Sequence, residues 1–332
     1  MARRGLVIGK FYPPHRGHKY LIDTAQRQVE HLVVLVCDDP RQSIPAAQRA
    51  AWLREIHPQA EVQVIPDTVA DDDSPGWAEY TRRWLGYTPD VVFTSEDYGV
   101  AYAHYLGCEH VSVDRERRHV PISGTAIRAH PLAHWDYLEP CVRAYFAKRI
   151  CVLGAESTGT TTMAQALAAH YQTTWAPEYG RDYWVEHVLY AKDHTWQTSE
   201  FVHIATRQCE MEDEAARACN RLVICDTDAF ATSIWHERYL GSRSPEVEAV
   251  AARCHYALTL LTDVDIPFVQ DGTRDGEHIR HGMHRRFEER LAEAGRPYIL
   301  LSGPHAERLK KATAAIDALL AEGASVPTQP GD

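Results

Sequence analysis

Nowhere does the chain contain an apolar run approaching the roughly 18 residues that a membrane-spanning helix requires. Its first apolar run, Leu6-Val7-Ile8, is too short for the core of a secretory leader. C-x-x-C pairs are missing too. The eight cysteines lie scattered from Cys37 to Cys254 without zinc-like spacing, so reduced, partly buried thiols are expected. Positive charge is in the minority: Lys plus Arg total 35 against 46 for Asp plus Glu, a formal charge of -11. That argues against a general nucleic-acid binder but allows a local basic pocket for phosphates. The absences together point to a cytoplasmic globular protein, and 332 residues, 45% of them apolar, suffice for two cores.

What is present is a repeating alternation of short apolar strands and helices. Strands are expected at residues 5–9 (GLVIG), 31–37 (HLVVLVC), 62–65, 90–94 and 110–113, with helices at 18–27, 46–56, 77–85 and 98–106 between them. This order predicts a parallel sheet covered on both faces. The pattern restarts at 150–154 (ICVLG), followed by a helix at 161–170, strands at 222–225, 256–261 and 298–301, and a closing helix at 306–320. The fold class is therefore α/β with two parallel-sheet domains, an N-terminal Rossmann-like domain over residues 1–147 and a P-loop domain over 148–332. The join, HWDYLEPCVRAYFAKR, holds too many large apolar side chains for a solvated linker. The final GASVPTQPGD has no periodicity and is expected to fray.

Two constellations carry chemistry. In GKFYPPHRGHKYLI, His15 and His18 stand three apart where the loop after the first strand becomes a helix. That carboxyl edge of a parallel sheet is where ligands bind, and a helix start attracts phosphate. His18 can donate to a phosphoryl oxygen and His15 can reach the same cluster. A metal is the other partner a histidine pair could take, but no third ligand sits at a metal-site spacing nearby. Later comes ISGTAIR, where Ser123 and Thr125 are suited to cap a helix and Arg128 lies one turn beyond. Alone, that segment would read as a capped helix with a solvated arginine.

Together these segments resemble the HxGH nucleotidyltransferase superfamily, whose second signature is ISxTxxR. The likeness is greatest to its nicotinamide mononucleotide adenylyltransferases, supported by SPGWAEYTRRW (74–84), FTSEDYG (93–99) and DRERRHVPISGTAIR (114–128). The resemblance implies that His15, His18, Ser123, Thr125 and Arg128 bind ATP phosphates, with Lys10 as a further phosphate contact. Trp77 would be the platform for a pyridine ring, or else a core residue together with Trp84, two helical turns away. It also implies Mg²⁺ on the polyphosphate and an acceptor phosphate, already anionic, that needs no general base.

The second constellation is GAESTGTT, residues 154–161, between a strand and a helix. It fits G-x-x-x-x-G-K-[ST] except that Thr160 stands in place of the lysine. Gly154, Glu156, Ser157, Thr158, Gly159, Thr160, Thr161 and Thr162 are the candidate ATP-binding stretch, with Thr161 on Mg²⁺. Without the ammonium, phosphoryl transfer would be weak unless another cation substitutes, and Arg181, Arg274 and Arg280 are the candidates. PEYGRD (177–182) and DTD (226–228) resemble the ribosylnicotinamide kinase domain that is fused to an adenylyltransferase in bacterial NadR-type proteins. By that likeness Glu178, Tyr179, Arg181, Asp228 and Arg274 would line the substrate site, and Asp226 would act on the hydroxyl or hold Mg²⁺. Spacing does not decide which of Glu178, Asp226 and Asp228 is the base. The helix-turn-helix head of some relatives has no counterpart, since residue 5 already begins a strand, so a DNA-binding role is not expected.

The function implied is synthesis of NAD from nicotinamide mononucleotide and ATP, with phosphorylation of nicotinamide riboside in the second domain. Two rivals stay open: a transferase for another small phosphorylated substrate, and a nucleotide-sensing module whose P-loop binds ATP without efficient turnover.

Overall fold

The computed structural model describes residues 3–191, 193–272, 274 and 276–322. The expected frayed tail lies outside them, apart from its neighbours up to 322. The chain divides into two compact units, with the break between Val142 and Arg143.

The first unit alternates β1 (Arg4–Gly9), α1 (Arg16–Gln26), β2 (His31–Asp38), α2 (Ala46–Ile56), β3 (Glu61–Pro66), α3 (Ser74–Leu85), β4 (Val91–Thr94), α4 (Gly99–Leu106) and β5 (Glu109–Ser112). A short α5 (Gly124–Ala129) and the helix α6 (Pro140–Phe146), which runs across the break, follow. The sheet is parallel in the order β3-β2-β1-β4-β5. Alternate residues of the central strands feed two apolar clusters, with Val7, Val34 and Phe93 on one face and Leu6, Val33 and Val92 on the other. Strands buried on both faces explain the unbroken apolar runs in the sequence. Chain order reverses between β1 and β4, and ligands of open α/β sheets bind at the carboxyl ends of strands at such a point.

The second unit runs β6 (Lys148–Gly154), α7 (Thr160–His170), β7 (Trp175–Ala176), α8 (Tyr179–Tyr183), α9 (Thr198–Ala218), β8 (Leu222–Asp226), α10 (Ala229–Leu240), α11 (Pro245–Ala251), β9 (Leu258–Thr262), α12 (Arg280–Glu293), β10 (Ile299–Leu301) and α13 (His305–Glu322). Its sheet is also parallel, in the order β10-β9-β6-β8-β7. Ile150, Val152, Ile224 and Leu260 pack on α7 and α13 through Leu167 and Ile316, while Cys151, Leu153 and Leu261 pack on Ile234 and Phe287.

The cysteine expectation is corrected at one place. Cys209 of α9 and Cys254 are joined as a disulfide, and the other six cysteines take no part in one. The two are 45 residues apart in sequence and are brought near each other as α9 packs on α11, just before Cys254, a proximity that no spacing rule reveals.

Candidate functional site

In the first unit a cleft of about 820 Å³ opens at the carboxyl ends of β1 and β4, within the size range of small-molecule sites. His15 is the N-cap of α1 and is buried. Its Nδ1 accepts the N–H groups of Gly17 (3.1 Å) and His18 (3.4 Å), while His18 Nδ1 accepts the N–H of His15 at 3.3 Å. The rings stack with centroids 3.7 Å apart, and Phe11 meets His18 edge-on. Because each Nδ1 is an acceptor, a neutral ring carries its proton on Nε2. Burial, then the nearby charge of Arg117, lowers the His15 pKa to about 4; burial, then His15 and Arg117, holds His18 well below the usual histidine range. The pair is thus two neutral, locked N–H donors.

The ISGTAIR segment comes to the same place from more than a hundred residues away. Ser123 is the N-cap of α5, accepting the Ala126 N–H at 3.1 Å. Arg128 Nη1 donates to the carbonyl of Tyr12 at 2.8 Å, and its guanidinium lies 4.5 Å from the Tyr12 ring centre. Its Nη2 reaches Thr125 Oγ1 at 3.3 Å, and among the described residues its Nε is buried without a hydrogen-bond partner. A Cβ at Gly124 would stand 2.6 Å from the Tyr12 carbonyl, so the two signature segments touch through a glycine. His18, Lys10, Ser123, Thr125 and Arg128 all line the cleft; His15 stands behind His18.

Lys10 is not a free cation: it donates to Asp71 at 3.0 Å and lies 3.8 Å from Asp67. Trp77 combines both of its expected places, packing in the core with Leu6 and Ile8 while lining the cleft, its Nε1 tied to the Ala70 carbonyl at 3.1 Å. Trp84 is exposed and bonds Gln63, so the pair is not a core stripe. Arg117 lines the cleft too and was missed by sequence reasoning. It lay inside the matched segment 114–128, but its position in a loop gave no periodic or motif signal.

In the second unit the carbonyls of the loop after β6 are held by two buried arginines. Arg280 donates through Nε to Glu156 O and through Nη2 to Ser157 O, both at 3.1 Å, and Arg308 donates to Thr158 O at 2.8 Å. A phosphate nest needs its carbonyls turned from the anion, and these two arginines hold three of them. Gly159, at φ 86°, makes the left-handed turn into α7. Thr161 Oγ1 donates to Asp226 Oδ2 at 2.6 Å, while Asp226 Oδ1 is buried with no hydrogen-bond partner among the described residues. The cleft beside the loop is lined by Gly154, Glu156, Ser157, Thr160, Glu178, Arg181 and Arg274, with Trp184, Trp196 and Trp235 as an aromatic wall. Burial and the charge of Asp226 push Glu178 up to about 7.

Five expectations are corrected here. Asp228 is buried, N-caps α10 through the Ala231 N–H and pairs with Arg296 at 2.5 Å, so it builds the fold rather than facing substrate. Tyr179 turns its hydroxyl to His203 at 3.1 Å and does not line the cleft. Arg280 is occupied by loop carbonyls and cannot replace the lysine. The Thr158 hydroxyl donates to Ala155 O at 2.6 Å and meets Thr262 at 2.7 Å, a buried brace for the loop. Thr162 stands inside α7 away from the cleft lining.

The fold and the two clefts define a nucleotidyltransferase unit followed by a P-loop unit. Residues 6–130 match the cytidylyltransferase-like family and residues 149–308 the AAA domain family. The trifunctional NAD biosynthesis/regulator protein NadR of Escherichia coli (strain K12) is 32% identical over 292 residues, spanning 81% of this chain and 71% of that protein. NadR of Salmonella typhimurium (strain LT2) matches at the same identity and coverage. A crystal structure of a NadR protein with NAD and AMP-PNP superposes with a TM-score of 0.76 at 21% identity, covering 100% of this chain and 99% of that one. A second NadR structure, in complex with NR, gives the same values. These likenesses show the fold. The chain belongs to the NadR family.

Proposed function

We propose that the first unit makes NAD from nicotinamide mononucleotide and ATP, releasing pyrophosphate, and that the second phosphorylates nicotinamide riboside with ATP. The observation that carries the first activity is the stacked, neutral His15–His18 pair, whose His18 lines the same cleft as Arg128. A 5'-phosphate oxygen of the mononucleotide attacks the α-phosphorus, the bond to the bridging oxygen of the β-phosphate breaks, and its electron pair leaves with pyrophosphate. The nucleophile is already an anion, so the residues must align it and stabilise the departing charge. His18 Nε2–H, with His15 behind it, and the Arg128 guanidinium supply those donors. Ser123 and Thr125 position the phosphates, Lys10 is a further contact, and Trp77 flanks the pyridine ring.

In the second unit the riboside 5'-oxygen attacks the γ-phosphorus, the β–γ bridging bond breaks, and ADP departs with the electron pair. Glu178 takes the hydroxyl proton. It lines the cleft, whereas Asp228 is tied to Arg296 and Asp226 to Thr161, and its pKa of about 7 suits a base working near neutrality. The flat ring is received by the wall of Trp184, Trp196 and Trp235. Mg²⁺ would be held by Asp226 and Thr161, where the orphaned Oδ1 of Asp226 suits a hard cation; when bound it would neutralise charge on the polyphosphate. No helix among the described residues is long and apolar enough to cross a membrane, and we place the protein in the cytoplasm with no nucleic-acid partner.

The two half-reactions are assayed separately with Mg-ATP and either mononucleotide or riboside. NAD with pyrophosphate is expected from the first and ADP with mononucleotide from the second. Better turnover of another phosphorylated acceptor would favour the rival transferase reading.

A further inference from the structure

We propose that Arg181 supplies the positive charge that the lysine of a P-loop brings to the β- and γ-phosphates, a position held here by Thr160. The inference rests on the kinase reading of this cleft.

The need is electrostatic. Glu156 and Glu178 line the cleft, and Asp226 and Asp271 flank it through Thr161 and Arg181. A triphosphate entering such a site meets carboxylates on several sides, and transfer of the γ-phosphoryl group is governed by how its oxygens are neutralised. A threonine hydroxyl offers a hydrogen bond but no charge.

The arginines near the loop are separated by what already holds them. Arg280 and Arg308 face loop carbonyls. Arg296 is locked to Asp228 and to Thr259 Oγ1 at 2.7 Å. Arg274 lines the cleft, but Nη1 donates to the Val269 carbonyl within its own loop, Nη2 lies 3.0 Å from Asp271, and its side chain is only 16% exposed.

Arg181 differs in each respect. It lines the cleft with 41% of its side chain exposed, Nη1 lies 3.2 Å from Asp271, and Nε is 3.8 Å from Glu178. Its backbone is fixed in α8, whose first residue donates its N–H to Gln208 at 3.0 Å. Burial raises the pKa of both Glu178 and Asp226, and the charge of Arg181 already acts on each in the opposite direction. A long, half-exposed cation on a fixed turn, held by loose ion pairs, can exchange Asp271 for phosphate oxygens.

In phosphoryl transfer the bonds change as above: the riboside oxygen bonds the γ-phosphorus, the bridging bond breaks toward ADP, and the proton passes to Glu178. Arg181 forms no covalent bond and stabilises charge on the equatorial and bridging oxygens.

Arg181→Gln is compared with wild type, with Arg181→Lys, and with the Arg181→Gln/Thr160→Lys double variant. Riboside phosphorylation is followed, and so is hydrogen-exchange protection of the peptide covering 154–161, titrated with ATP and with ADP, which reports this site even though ATP also binds elsewhere. Arg181→Gln is expected to lower kcat by at least about 100-fold, the scale of one lost transition-state donor. It should weaken half-maximal protection by ATP about tenfold more than that by ADP, the scale of one charge-assisted contact. Arg181→Lys should keep the preference for ATP, and Thr160→Lys in the Arg181→Gln background should recover at least about tenfold of the lost rate. An Arg181→Gln variant within about twofold of wild type in both readouts, equal weakening for ATP and ADP, or no recovery with the lysine would overturn the proposal. If wild-type protein phosphorylates no riboside, the kinase reading fails, and the ATP–ADP difference alone decides the role of Arg181.

Discussion

An imidazole can be a proton shuttle, a cation or a fixed dipole, and its hydrogen bonds and burial choose among these. At His15 and His18 the Nδ1 atoms accept backbone N–H groups and burial suppresses protonation, leaving two Nε2–H donors of fixed direction. Replacing His18 by alanine is expected to lower adenylyl-transfer turnover by at least about 100-fold, the scale of one lost transition-state donor. Steady-state kinetics of NAD formation checks this, and near-normal turnover would remove His18 from the reaction. At this scale the sequence was informative wherever a motif fixed spacing: His15, His18, Ser123, Thr125 and Arg128 gather as their motifs imply. It failed where a polar residue's partner comes from distant sequence. Asp228 looked like the twin of Asp226, yet Arg296, 68 residues away, claims it.

At the scale of elements, the first cleft depends on close contact between the loop after β1 and the start of α5. Gly124 permits it, and a methyl group there would press on the Tyr12 carbonyl that Arg128 also holds. Gly124→Ala should therefore leave the unit folded while lowering kcat for NAD formation about tenfold or more, because small misplacements of aligned groups are costly. A variant with wild-type kcat would show that the contact tolerates spreading. Most strands and the helices between them were readable because a doubly covered sheet writes long apolar runs. α9 was not read from the sequence, although it spans 21 residues. Its buried stripe includes Gln208 and Glu212, polar residues that break the apolar period and find partners only in the folded unit, at Tyr179 N–H and Tyr256. The loop-holding arginines of α12 and α13 were illegible for the same reason, since their acceptors are carbonyls far along the chain.

At the scale of the whole molecule, one buried group in each unit should make stability respond to acid in opposite directions. His15 titrates near 4 when folded, because of burial and Arg117, and near 6.5 when unfolded. Between those values the unfolded chain binds the extra proton, so the contribution of His15 is full above pH ~6.5 and is lost toward pH ~4. Glu212, buried in the second unit, is raised by desolvation to about 7. There the folded state binds the extra proton, so its contribution is full below the unfolded value of ~4.3 and is lost as pH rises through about 7. Each group alone changes stability by up to about 1.4 kcal/mol per pH unit within its window. Urea unfolding of His15→Asn, which keeps a capping side chain without a titrating ring, should show a smaller acid loss than wild type. Glu212→Gln should show a smaller acid gain. Unaltered pH slopes in both variants would contradict these assignments.

The central claim, that the first unit joins an adenylyl group to a pyridine mononucleotide, is tested most directly with ATP labelled at the α-phosphate. In the presence of nicotinamide mononucleotide and Mg²⁺, the label should appear in NAD in step with release of unlabelled pyrophosphate, and His18→Ala should suppress both together. Label recovered as free AMP, or no labelled dinucleotide while another phosphorylated acceptor is adenylylated, would contradict it.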